Sequence, residues 1–98
     1  MIITPLQGGE FGVVLSAQGL QPGGIYLVEG IGGGAQVGSA PLASTLAASE
    51  FFADSQGNGL YSYISATNPQ TEYTGVSLLY LPNNQTTNSV LIATGPLG

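Results

Sequence analysis

Residues 50–65 read EFFADSQGNGLYSYIS, and this stretch carries the strongest local structural signal in the chain. Two runs rich in aromatic and branched side chains flank Asp54-Ser55-Gln56-Gly57-Asn58-Gly59. The Asp54 side chain can bond backbone two residues on, and the Gly and Asn residues accept positive φ at little cost. Asn-Gly between β-formers is a hairpin signal. The pattern therefore predicts a β-hairpin over Glu50–Ser65, with Phe51 and Phe52 pairing across from Leu60, Tyr61, Tyr63 and Ile64.

Working outward, other short strands follow from alternation and punctuation. Glu10–Ala17 places Phe11, Val13, Leu15 and Ala17 on one face. A turn at Gly19–Gly24, with Pro22 pre-setting φ, leads into a strand over Ile25–Ile31. Residues 30–34, GIGGG, form a loop rather than a dinucleotide cradle, because no βαβ unit follows. A strand is expected over Ala35–Gly38. Ser39 and Pro41 could then open a short helix near 41–48, with Leu42, Ala43, Leu46 and Ala47 on one face.

Beyond the hairpin, Asn68-Pro69 marks a polar loop over Ala66–Thr71. Strands over Glu72–Leu81 and Ser89–Thr94 complete the series. Met1–Thr4, stopped by Pro5, reads as an edge strand or an arm. The expectation is a single all-β domain over 1–98, an antiparallel β-sandwich of about 6–8 short strands. It would carry an N-terminal arm over 1–9 and a C-terminal tail over 95–98.

Composition prunes function sharply. The chain has no Lys, Arg, His, Cys or Trp and a formal net charge of −5. Charged residues are 5% of the chain, against ~25% in ordinary soluble domains. Without cations, neither nucleic acid nor an anionic membrane is an expected partner. Without His or Cys, the usual zinc, haem and iron–sulfur sites are not expected, nor are triads and thiol nucleophiles. No cofactor is expected. The start, MIITPLQGGE, lacks a secretory pattern, and no run approaches the ~20 apolar residues of a membrane-spanning helix.

One segment resembles a known architecture. Gly-Leu-Gln-Pro-Gly-Gly-Ile-Tyr-Leu-Val, residues 19–28, is similar to the second and third strands of small immunoglobulin-like or fibronectin-type-III-like sandwiches. The turn at Asp54–Gly59 also resembles such modules. The resemblance implies an immunoglobulin-like sandwich in which Leu20 packs beneath the turn and Tyr26 seats on the core. It carries no function of its own.

Candidate sites are few. Glu10, Glu29, Glu50, Asp54 and Glu72 are scattered, so no catalytic carboxylate pair is expected and the chain is read as non-enzymatic. Asp54 and Asn58 would be the metal ligands if the turn bound calcium. The stretch lacks the alternating ligands and terminal Glu of a calcium loop, so an Asx-turn is the expectation. Tyr61, Tyr63, Tyr73 and Tyr80 suit strands, with sugar stacking as the alternative use.

These features point to a structural assembly protein. The concrete expectation is a virion accessory subunit, of the capsid decoration or cement type, bound to a protein lattice or self-associated as a homo-oligomer. Its place would be the virion surface or outside the cell. The expected partner contacts are Met1, Ile2, Ile3, Thr4, Gly32, Gly33, Pro96 and Leu97. The alternative is a secreted immunoglobulin-like adhesion or carbohydrate-binding module.

Overall fold

Alternating side chains sort the strands into two layers. The computed structural model describes residues 1–32, 38–85 and 88–97. Within them lie β1 (Ile2–Pro5), β2 (Phe11–Ala17), β3 (Ile25–Ile31), β4 (Ser39–Pro41), β5 (Glu50–Phe52), β6 (Gly59–Ser65), β7 (Gly75–Tyr80) and β8 (Val90–Pro96). One α-helical turn, α1, spans Pro69–Glu72. All pairings are antiparallel.

The first sheet has the order β1-β2-β6 and the second β4-β3-β7-β8, with β5 also paired to β3. Strands β4 and β5 share one edge, β4 against Glu29–Ile31 and β5 against Ile25–Leu27. The protein is thus an all-β sandwich. Val13 and Tyr61 from the first sheet meet Tyr26, Val28 and Leu78 from the second in one buried cluster. Rings run through it in a chain: Tyr80–Tyr26 at 5.3 Å, Tyr26–Phe51 at 5.7 Å, Phe51–Tyr61 at 6.2 Å and Tyr61–Tyr63 at 5.7 Å. Such pairs add about 0.5–1.5 kcal/mol each beyond their burial.

The hairpin expected over Glu50–Ser65 does not form. Strand β5 pairs with β3 and β6 pairs with β2, so the segment crosses from one sheet to the other. The chain stays on the edge of β3 through Ala53, whose N–H donates to the Gly24 carbonyl at 2.9 Å. The turn is then held onto the Gly19–Gly24 turn by the Leu20 N–H donating to the Gly57 carbonyl at 2.9 Å. Gly57, at φ +81, lies so near this backbone that a Cβ would stand 2.5 Å from the Leu20 oxygen. Opposite sheets let Phe51 and Tyr61 bury against each other between layers, whereas a lone hairpin covers only one side of each ring.

The helix expected near 41–48 is also absent. Ser39 and Pro41 belong to β4, Ser44 sits at φ 72, and only a 3₁₀ turn forms, over Ala47–Ser49. Side chains take up the backbone groups that a helix would use. The Ser49 hydroxyl accepts from the Ala43 N–H at 2.9 Å and donates to the Thr45 carbonyl at 2.8 Å. The helical turn falls instead at Pro69–Glu72, where Pro69 occupies the first turn and Asn68 Oδ1 accepts from the Gln70 N–H. Glu72 therefore ends a helix, and the strand expected from it begins at Gly75.

Both ends are held by sheet pairing. Ile2–Pro5 pairs with Phe11–Val14, so the expected arm over 1–9 is an edge strand followed by a 3₁₀ turn at Gln7–Gly9. The expected tail is in part strand: β8 runs through Pro96, and Leu97 is buried with its N–H donating to the Thr74 carbonyl at 3.0 Å. The strand expected over 35–38 lies almost wholly outside the described residues.

Candidate interaction surfaces

Alternation that points Val13, Leu15, Tyr61 and Tyr63 inward turns Ile2, Thr4, Gly12, Val14, Ser16, Leu60, Ser62 and Ile64 outward. The register aligns Ile2 with Val14 and Ser62, Thr4 with Gly12 and Ile64, and Ser16 with Leu60. Ile2, Leu60 and Ile64 are 66%, 65% and 64% exposed. Leu6 lies over Gly12, which extends the apolar surface. None of these side chains is charged. A shallow groove beside Ser16 and Leu60 continues to Phe52, which is also exposed.

A second feature lies between the layers. A cleft of about 250 Å³ opens between the β1/β2 side of one sheet and the β7/β8 side of the other. Met1, Leu15, Ala17, Val76, Leu78 and Ala93 line it. Strand β8 runs along its rim with Val90, Leu91, Ile92 and Ala93 all exposed. Its register with β7 shifts between Leu78 and Leu79, which leaves Ile92 as the extra residue of a bulge.

The expected contact residues do not gather into one surface. Ile2 and Thr4 belong to the exposed face, but Ile3 packs against the core. Met1 and Pro96 line the inter-sheet cleft. Gly32 sits beside Thr74 at the end of the second sheet where Leu97 is buried; a buried Leu97 cannot present itself to a partner. Gly33 is outside the described residues. Sequence reasoning missed Leu60, Ile64 and the run Val90–Ile92. Their signal was visible as apolar residues on both faces of a strand, which one buried face does not require.

The turn at Asp54–Gly59 has the geometry of an Asx-turn. Asp54 Oδ1 accepts from the backbone N–H groups of Gln56 and Asn58, each at 2.9 Å. Asp54→Ala is expected to cost about 1 kcal/mol in urea unfolding, since exposed donors regain water, whereas Asp54→Asn keeps an acceptor and loses less. The same unfolding midpoint is expected in calcium and in chelator; a rise with calcium would assign Asp54 and Asn58 to the ion. Among the described residues no three His, Cys, Asp or Glu side chains come together.

The tyrosines are structural in placement. Tyr26, Tyr61 and Tyr73 are buried and Tyr63 and Tyr80 half-buried, so no exposed tyrosine platform exists. Burial, with Tyr63 nearby, pushes the Tyr61 hydroxyl up to about 12, and burial also raises Tyr63. Their hydroxyls donate to the carbonyls of Ala48 at 2.8 Å and Leu42 at 3.3 Å, tying the 42–49 segment to β6. Among the described residues no buried side-chain polar atom lacks a partner, and no helix is long and apolar enough to cross a membrane.

Compared with known proteins, the chain matches no family model, no curated protein and no solved structure.

Proposed function

We propose that this chain is a non-enzymatic assembly protein that docks on protein through the outer face of β1-β2-β6. The observation that carries this reading is the contiguous, uncharged apolar surface built by Ile2, Leu6, Val14, Leu60 and Ile64. Surfaces of this kind mark protein contacts, since water alone does not reward exposed apolar side chains. A chain with no cationic side chain and five scattered carboxylates offers no charged patch with which to recognise a partner.

The accessory subunit of a virus particle, bound to its protein lattice, is the setting we favour. The location is then the virion surface, with the extracellular space as the alternative. The strand order supports an immunoglobulin-like sandwich: β1-β2-β6 corresponds to A-B-E, and β3-β7-β8 to C-F-G. That order also suits a secreted adhesion module. The inward tyrosines give a carbohydrate-binding use less support, because Phe52 is the one exposed aromatic residue among the described residues.

The test is site-specific photo-crosslinking in the protein's native setting, with the photoreactive residue at position 60 or, as a control, at position 70. One recurrent protein adduct from position 60 and none from position 70 is the expected result. No protein adduct at position 60 overturns the reading.

A further inference from the structure

A sandwich has sheet edges, and each edge offers unpaired backbone N–H and C=O groups to any other strand. In this protein the edges are not alike. Strand β1 is four residues long and ends at Pro5. The edge shared by β4 and β5 is split into two three-residue pieces and carries Pro41 and Glu50. Strand β6 is tied to the 42–49 segment by the inward hydroxyls of Tyr61 and Tyr63. Short length, proline, charge and a covering segment are the devices that blunt edges.

Strand β8 is longer; its proline, Pro96, falls at its last residue, and the stretch before it carries only the bulge at Ile92. It is seven residues long, paired among the described residues only to β7, and without charged side chains. Val90, Leu91 and Ile92 are consecutive and well exposed, Leu91 at 58%. The inter-sheet cleft opens beside it, so inward-facing side chains of an added strand would lie over Met1, Leu15, Val76 and Leu78.

We propose that β8 is a pairing edge, and that its partner is β8 of a second copy of this chain. Charge favours a copy. The five carboxylates lie at Glu10, Glu29, Glu50, Asp54 and Glu72, none on β7, β8 or the segment that joins them. Two acidic molecules therefore meet with least repulsion along this edge, where a partner recognised by charge would find nothing to bind. Self-pairing also closes. Antiparallel β8–β8 contact is two-fold and consumes the β8 edge of both copies, so pairing through this edge ends at a dimer. Centred on Ile92, it sets Leu91 against Ala93 and Val90 against Thr94 of the other copy. The second sheet then continues across both molecules. This inference extends the assembly reading, on a surface separate from the face of β1-β2-β6.

The experiment is sedimentation velocity of the full chain over a concentration series, with hydrogen exchange of the β8 amides at the low and high ends. Wild type is expected to show a monomer–dimer equilibrium, with β8 amides slowing as dimer forms. Ile92→Lys places like charges opposite each other and is expected to weaken the dimer by about tenfold or more, although it lowers the net negative charge. Leu60→Glu is expected to leave the dimer in place. A chain that stays monomeric throughout overturns the proposal, as does a dimer whose β8 amides exchange at the same rate at both concentrations. If Ile92→Lys fails to fold, the wild-type exchange result decides alone. A dimer kept by Ile92→Lys and lost in Leu60→Glu overturns the edge assignment and leaves the docking face standing.

Discussion

Tyr26→Ala is expected to bring the protein to the brink of unfolding. Tyr26 is 2% exposed and lies between two other rings of the chain, stacked on Phe51 at an interplanar angle of 21° and tilted against Tyr80 at 47°. Its hydroxyl accepts from the Gln21 N–H at 2.7 Å, which fixes the turn before β3. Truncation removes the ring, leaves a cavity between rigid strands and frees that donor. Aromatic-to-alanine changes in cores cost about 3–5 kcal/mol, against a total stability of roughly 5–15 kcal/mol for a domain. Urea unfolding would show the midpoint collapse. Tyr26→Phe separates the two contributions: it keeps the packing and is expected to lose about 1 kcal/mol, the net worth of the hydrogen bond. If Tyr26→Ala costs no more than Tyr26→Phe, the rings do not hold the two layers together.

Gly30→Ala is expected to be nearly as damaging, for the opposite reason. Gly30 lies in β3, facing the core, and the Tyr73 ring lies flat against its backbone. A Cβ built there stands 2.5 Å from Tyr73 Cδ2 and Cγ and 2.7 Å from Cδ1. These are ring atoms of a side chain that is itself buried, so the far end of a flexible chain cannot simply swing away. The ring, α1 beside it or β3 must move. Overpacking of this kind costs about 1–3 kcal/mol and sometimes more; the close approach puts Gly30→Ala at the upper end. The decisive measurement is a double-mutant cycle with Tyr73→Ala. In that background Gly30→Ala should cost almost nothing, a coupling expected of residues in direct contact. Equal costs in the two backgrounds would show that the glycine is needed for something other than room.

Both residues illustrate what is legible in a chain and what is not. The resemblance of residues 19–28 to immunoglobulin-like sandwiches implies that Tyr26 seats on the core, and Tyr26 is buried there. Gly30 falls in the strand expected over Ile25–Ile31 and also heads the glycine loop expected over 30–34; it is a strand residue whose missing side chain is filled by Tyr73, 43 positions on. No local pattern joins those two, since the contact arises only when β3 and β7 pair. The exposed apolar face of β1-β2-β6 was half legible. Ile2 and Thr4 stand out by sequence as part of a β-prone N-terminal segment, but Leu60 and Ile64 look like hairpin residues paired with Phe51 and Phe52. Their outward direction follows from the pairing of β6 with β2.

The sequence by itself determined the class of structure, the position of most strands, the Asx-turn at Asp54 and the absence of cationic or thiol side chains. These follow from local causes: alternation with period two, turn residues at fixed offsets, and the inventory of side chains. The tertiary structure alone decided which sheet each strand joins. For residues 50–65 the local signal favours a hairpin, yet three residues of β5 gain more by pairing with β3. In that place Phe51 meets Tyr61 between the layers, and both rings leave water on both faces. The turn survives unchanged, because its hydrogen bonds are local; the partners of its two arms are set by burial across the sandwich, which no window of sixteen residues contains.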